Sequence, residues 1–255
     1  MSAFNLCEKI GSLDALQWLG IAIVLFLALA AMWGSKTNGS RLFKLAFLSI
    51  LGITIFYLAW AVLSPRNYSR FFTDDGFNEI LTVGFELLAA LFFLLTFFRL
   101  RKKRLEGACV YLLLAVFTFW VAGEELSWGQ RIFNFSIPVF FLHYNDNQSV
   151  NIHNLFLFAP WEDEITLAVY LSWGIFLPAI LFNWPKPAEF WRKHHLPSPW
   201  PLLSLGMALG LLAEFYPAFH LKDYAEYAYE AVETFFALSM FWVSRFYFNK
   251  AKDDA

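Results

Sequence analysis

Long charge-free runs separated by short polar stretches organise this chain. Between Asp14 and Lys36 lie 21 residues without a charge, and between Lys44 and Arg66 another 21. Further runs cover 107–123, 165–185 and 194–213. A hydrocarbon core of roughly 30 Å needs about 20 apolar residues at about 1.5 Å each, so each run predicts a membrane-crossing helix. Two more stretches of similar length carry acids: 80–98 is interrupted by Glu86, and 224–244 by Glu226, Glu230 and Glu233. The expected fold is an all-α integral membrane protein, a bundle of seven transmembrane helices in one transmembrane domain over 1–255. Its spans are expected near 15–34, 44–64, 78–99, 106–123, 164–184, 198–215 and 224–246, with no soluble domain. Ala28-Leu29-Ala30 resembles a signal-peptide cleavage site. The preceding residues hold Glu8, Lys9 and Asp14 rather than a basic cluster, which favours an uncleaved first helix.

The polar connections set an orientation. With seven spans, 14 of the 19 Lys and Arg residues fall on one side, in the stretches around Lys36–Lys44, Arg99–Arg104, Lys186–Lys193 and Arg245–Lys252. Lys9, Arg66, Arg70, Arg131 and Lys222 fall on the other. Cytoplasmic loops carry the Lys/Arg excess, so the expected N-terminus is outside and the C-terminus cytoplasmic, in an inner or plasma membrane. One connection is long: 124–163, on the outer side between spans four and five. Trp128, Phe133, Phe135, Phe140, Phe141, Phe156, Phe158 and Trp161 make it too apolar for disorder. Short interfacial or re-entrant pieces are expected there.

Composition sharpens the picture. The chain is 59% hydrophobic and 16% charged, against about 45–50% and about 25% for soluble domains. Its net charge of −2 argues against a nucleic-acid footprint. The expected partner is membrane lipid, with no nucleic acid, and protein partners are left open. Cys7 and Cys109 fall on segments that should not meet, so no disulfide framework is implied. No nucleotide-binding loop, haem signature, HExxH or Gly-x-Ser-x-Gly occurs.

The chemistry-bearing residues gather on the outer side. Asp74, Asp75 and Glu79 open span three; Glu124 and Glu125 close span four, followed by Gln130 and Arg131. Asn151, His153 and Asn154 lie in the long loop, and Glu226, Glu230 and Glu233 share one helix face at i, i+4, i+7. At about 1.5 Å per residue, Glu86 and Glu233 sit roughly 10–15 Å below the outer boundary. A charge at such depth costs about 2.5–3.5 kcal/mol by insertion scales, so these acids should face the bundle interior. Candidate catalytic residues are Glu124, Glu125, Arg131, His153, Glu230 and Glu233; candidate substrate-binding residues are Gln130, Asn151, Asn154 and Glu86. Glu125, His153 and Glu233 are the candidate ligands for a divalent metal ion, the cofactor such a mixed Glu/His set would take. Each has a plainer reading. Glu86 as a neutral acid can bond a neighbouring helix, and Arg131 can simply pair with Glu124 or Glu125. If 123–131 is helical, Glu124, Trp128 and Arg131 share a face and Glu125 points away.

The stretch Gly123-Glu124-Glu125-Leu126-Ser127-Trp128-Gly129-Gln130-Arg131, followed by Asn151-Ile152-His153-Asn154, resembles a family of uncharacterised bacterial polytopic membrane proteins with a G-E-E-x-S-W-G-Q-R motif and a later N-x-H-N. The resemblance is specific over 123–154, extends faintly to Asp74-Asp75-Gly76-Phe77-Asn78-Glu79 and the acids of span seven, and brings no established reaction. Seven spans with an outer polar site also resemble zinc-dependent lipid amidases related to alkaline ceramidase. Those carry H-x-x-x-H on the last span, where this chain has Glu226 and Glu230. Three functions fit these residues: a membrane-embedded, metal-assisted hydrolase or transferase acting on a lipid or lipid-linked substrate; a transporter or ion-coupled channel; and a non-catalytic assembly subunit. A transporter would need polar residues continuing into the cytoplasmic half.

Overall fold

The computed structural model describes residues 39–63, 76–145, 148–155, 168–169, 171–194, 196–197 and 225–253. The spans expected near 15–34 and 198–215 lie outside the described residues. The regular structure among the described residues is helical, apart from one antiparallel bridge between Asn145 and Leu155.

Among the described residues two helices are long and apolar enough to cross a membrane: α2 (Phe77–Leu100) and α3 (Leu105–Glu125). The cationic run Arg101-Lys102-Lys103-Arg104 separates them, and its amides bond back to Phe97 and Leu100 carbonyls, so α3 returns antiparallel along α2. Phe93 meets Tyr111 across this hairpin at a ring separation of 6.3 Å. Ahead of them, α1 (Gly39–Leu63) contains a shorter apolar stretch, Lys44–Tyr57.

The last described helix, α8 (Ala225–Asp253), packs along α2. The two run parallel: Asn78 meets Glu230, Thr82 meets Thr234, and Phe92 meets Phe248. α1 runs against them, with Ser49 bonded to Trp242 and Tyr57 packed on Phe235. From Ala231 to Arg245 every residue of α8 except Glu233 is buried. A helix enclosed on all sides can hold polar groups against neighbouring helices, which is why Thr234, Ser239, Ser244 and Arg245 are tolerated there.

The region expected as one span over 164–184 is less regular. Its described part has a π-helical turn at Ser172–Phe176, then α6 (Leu177–Asn183), a break at Trp184, and α7 (Pro185–Lys193). Pro178 supplies no N–H and crowds the carbonyl four residues earlier, so the wider π turn just before it relieves the clash. Beyond α3 come two short helices, α4 (Gln130–Phe133) and α5 (Val139–Tyr144). Val139, Phe140, Leu142 and Tyr144 of α5 are all exposed.

Candidate functional site

The end of α3 is shaped by its glycines. Ser127, Trp128 and Gly129 follow one another in the left-handed region, at φ 48°, 53° and 82°. For the two non-glycine residues that conformation costs about 1–2 kcal/mol each, so other interactions must hold it. The indole of Trp128 folds back over Gly123, where an added Cβ would lie 2.9 Å from the ring. Gly129 is doubly required, since a Cβ there would also lie 2.9 Å from Phe133. The chain therefore leaves the helix at Leu126, and the helical projection of Glu124, Trp128 and Arg131 onto one face does not apply. Trp128 reaches Glu124 through the left-handed turn instead.

That turn presents Glu124 to the loop at 148–155. The Trp128 indole N–H donates to Glu124 Oε1 at 2.7 Å. On the other oxygen, Oε2, converge the backbone N–H of Ile152 at 2.5 Å, that of His153 at 3.1 Å, and His153 Nδ1 at 3.3 Å. Every partner is a donor, the arrangement that suits an ionised carboxylate. Gln130 Oε1 accepts from the Val150 N–H at 2.8 Å, a second clasp on the same loop. Within the loop, Asn145 Nδ2 donates to the Asn151 carbonyl and Oδ1 at 2.9 and 2.8 Å, and both asparagines are buried. The Gly-Glu-Glu-x-Ser-Trp-Gly-Gln-Arg and Asn-x-His-Asn stretches thus form one assembly.

The imidazole occupies its accessible side. The His153 side chain is 28% exposed while that of Glu124 is 4% exposed, so solvent reaches the ring and not the acid. With Nδ1 donating to Glu124, Nε2 is left to accept, and Asn154 Nδ2 lies 3.0 Å from it. A buried carboxylate behind Nδ1 orients the ring, fixes its tautomer and stabilises the imidazolium that forms when Nε2 takes a proton.

A second polar group joins three helices at the same end of the bundle. Asn78 Oδ1 accepts from the Tyr57 hydroxyl and from Thr234 Oγ1, the latter at 2.6 Å. Its Nδ2 donates to the Glu230 carbonyl at 2.6 Å and to Glu230 Oε2 at 3.3 Å, and Thr82 and Thr234 bond at 2.9 Å. Two turns further along α2, Glu86 is buried with its Oε2 lacking a partner among the described residues.

The expected site residues therefore divide. Glu124, Gln130, Asn151, His153 and Asn154 come together; Glu230 belongs to the Asn78 group; Glu86 is enclosed in the α2 interface, and Glu233 is half-buried on α8. Arg131 falls in α4. Glu125 is half-buried beside the clasp, whose bonds fall to Glu124. Among the described residues no three His, Cys, Asp or Glu side chains converge as a metal site would need, so Glu125, His153 and Glu233 do not form one there. Asn78, Tyr57 and Thr234 are polar residues to which sequence reasoning gave no role; the available signal was an amide in the first turn of a helix, just ahead of the apolar run 80–98. Comparison with protein-family models, curated proteins and solved structures gives no match.

Proposed function

We propose that the chain is a seven-span integral membrane protein of the inner or plasma membrane, with its N-terminus outside. On this reading the Glu124–His153 pair acts as a general base at the outer membrane face, in a hydrolase or transferase for a lipid or lipid-linked substrate. The helix directions support the topology. Spans two, three, four and seven of such a protein must run up, down, up and down, and α1, α2, α3 and α8 alternate in that sense. The cationic α2–α3 connection then lies in the cytoplasm, and the Glu124 end lies outside. The exposed apolar residues of α5 suit a position on the membrane surface.

The observation that carries the chemistry is the half-buried imidazole backed by a buried carboxylate at Nδ1. Water or a substrate hydroxyl would take the place of Asn154 at Nε2. Nε2 removes its proton as the oxygen attacks an acyl or phosphoryl centre, Glu124 stabilises the imidazolium, and the proton passes to the leaving group. General-base catalysis of this kind contributes about 10²–10⁴-fold. A second reading, a non-catalytic clasp, is favoured by one observation: Glu124 also holds Trp128 and the backbone of Ile152 and His153.

The test is lipid turnover by the purified full chain in nanodiscs of phosphatidylethanolamine, phosphatidylglycerol and cardiolipin, followed by mass spectrometry. Time-dependent loss of one lipid with appearance of a product, abolished by His153→Gln at unchanged melting temperature, is the expected result. Absence of turnover, or turnover untouched by His153→Gln, would overturn the catalytic reading.

A further inference from the structure

The opposite end of the bundle, where α2 and α8 both finish, gathers cations on aromatic faces. The Arg99 guanidinium lies 3.5 Å over the Phe248 ring, and its Nη1 donates to the Phe248 carbonyl at 2.9 Å. Arg245, one turn deeper, lies 5.4 Å from the same ring and 5.1 Å from that of Phe92, and it donates to Asn249 Oδ1. Arg101 lies 4.9 Å over Phe98, Lys250 5.8 Å over Tyr247 and Lys252 5.9 Å over Phe248. The connection adds Lys102, Lys103 and Arg104, all exposed.

Among the described residues Arg99, Arg101, Lys250 and Lys252 meet no carboxylate; the acids on these elements at this end are Glu106, which is exposed, and Asp253. Arg99 uses one of the five N–H donors of a guanidinium. Asn249 Nδ2 is buried without an acceptor among the described residues. Surplus donors and positive charge on a rim that also exposes Phe98 ask for an anion held at an apolar boundary. We propose that this end of the α2–α8 pair binds the phosphate-bearing headgroups of anionic phospholipids, with the guanidinium and ammonium groups on the phosphate and the aromatic rings at the acyl boundary.

This inference rests on the membrane reading, so the experiment separates the two. Carbonate extraction of membranes containing the full chain comes first: release into the soluble fraction overturns the membrane reading itself, and retention upholds it. The purified chain is then equilibrated with phosphatidylglycerol or phosphatidylcholine, and retained lipid is counted by native mass spectrometry. The expected result is selective retention of phosphatidylglycerol, weakened by roughly fivefold for each cation removed in Arg101→Gln/Lys250→Gln/Lys252→Gln. The milder Lys250→Gln/Lys252→Gln reads the same loss should the triple variant not fold, and Lys250→Arg/Lys252→Arg should retain binding. Equal retention of the two lipids, or retention unchanged in the Gln variants, overturns the proposal. Displacement of phosphatidylglycerol by millimolar inorganic phosphate also overturns it, in favour of a free-anion site.

Discussion

The clasp around Glu124 and the network around Asn78 occupy the same end of the bundle, yet they are built from different materials. Around Asn78 the bonds run mostly from side chain to side chain, between helices that are regular where they meet, and Asn78, Thr82 and Thr234 are all buried. Around Glu124 most donors are backbone amides and one indole, the chain is bent through three left-handed residues, and the histidine is open to solvent. Side-chain networks between straight helices fix which helices pack and in what register. A strained turn that delivers a buried acid to a reachable imidazole does more than packing requires, and strain of this kind concentrates at functional sites. On the proposed reading, the difference separates an architectural polar group from a chemical one.

The sharpest way to break this comparison is Glu124→Leu. It removes the acceptor for the Trp128 indole and for two backbone amides while leaving those donors in place. Each buried donor left without an acceptor costs about 1–3 kcal/mol, and the left-handed turn loses the bond that holds it. The expected outcome is a large drop in detergent melting temperature, with proteolytic cutting near 148–155. A melting temperature within a degree of wild type would mean that the clasp does not organise the loop.

A smaller effect is expected from the network. Thr82 and Thr234 exchange one hydrogen bond at 2.9 Å, and such pairs in membrane bundles average about 0.6 kcal/mol and reach about 1.7. Thr82→Val, Thr234→Val and the double variant form a cycle whose coupling should fall in that range, measured by thermal or denaturant unfolding in detergent. Coupling above about 3 kcal/mol would place this network on a par with the clasp and erase the contrast.

Much of the helical frame is legible in the residues themselves. The runs 78–99 and 106–123 come within two residues of the observed α2 and α3, because charges bracket them and nothing inside breaks a helix. The partnership of the Glu124 and His153 stretches is legible too, as two polar groups assigned to one side of a membrane. Its geometry is not. Right-handed helix through 127 and 128 is what Ser and Trp prefer locally, and the bonds to Glu124 and the packing over Gly123 override that preference. With the helix ended at Leu126, the inward acid is Glu124 while Glu125 sits beside it, a distinction that adjacent identical residues cannot reveal. Asn78 was given no role for the opposite reason: one amide at the head of a long apolar run gains meaning only when Tyr57 and Thr234 arrive from distant helices.

The smallest expected change in stability is also the most discriminating. His153 donates its backbone N–H to Glu124, and that bond survives any side-chain substitution. His153→Gln removes the imidazole from a position that is 28% exposed, and the amide can still donate toward Glu124 Oε2. Away from buried features, such changes usually stay within about 0.5 kcal/mol, so the melting temperature should move by a degree or two. A base at Nε2, by contrast, has no substitute in glutamine, whose amide does not accept a proton near neutral pH. If the clasp is chemical, His153→Gln abolishes lipid turnover while the loop stays protected from protease. If it is only a fastening, wild type and His153→Gln behave alike in every assay, because the backbone bonds to Glu124 that fasten the loop are intact in both.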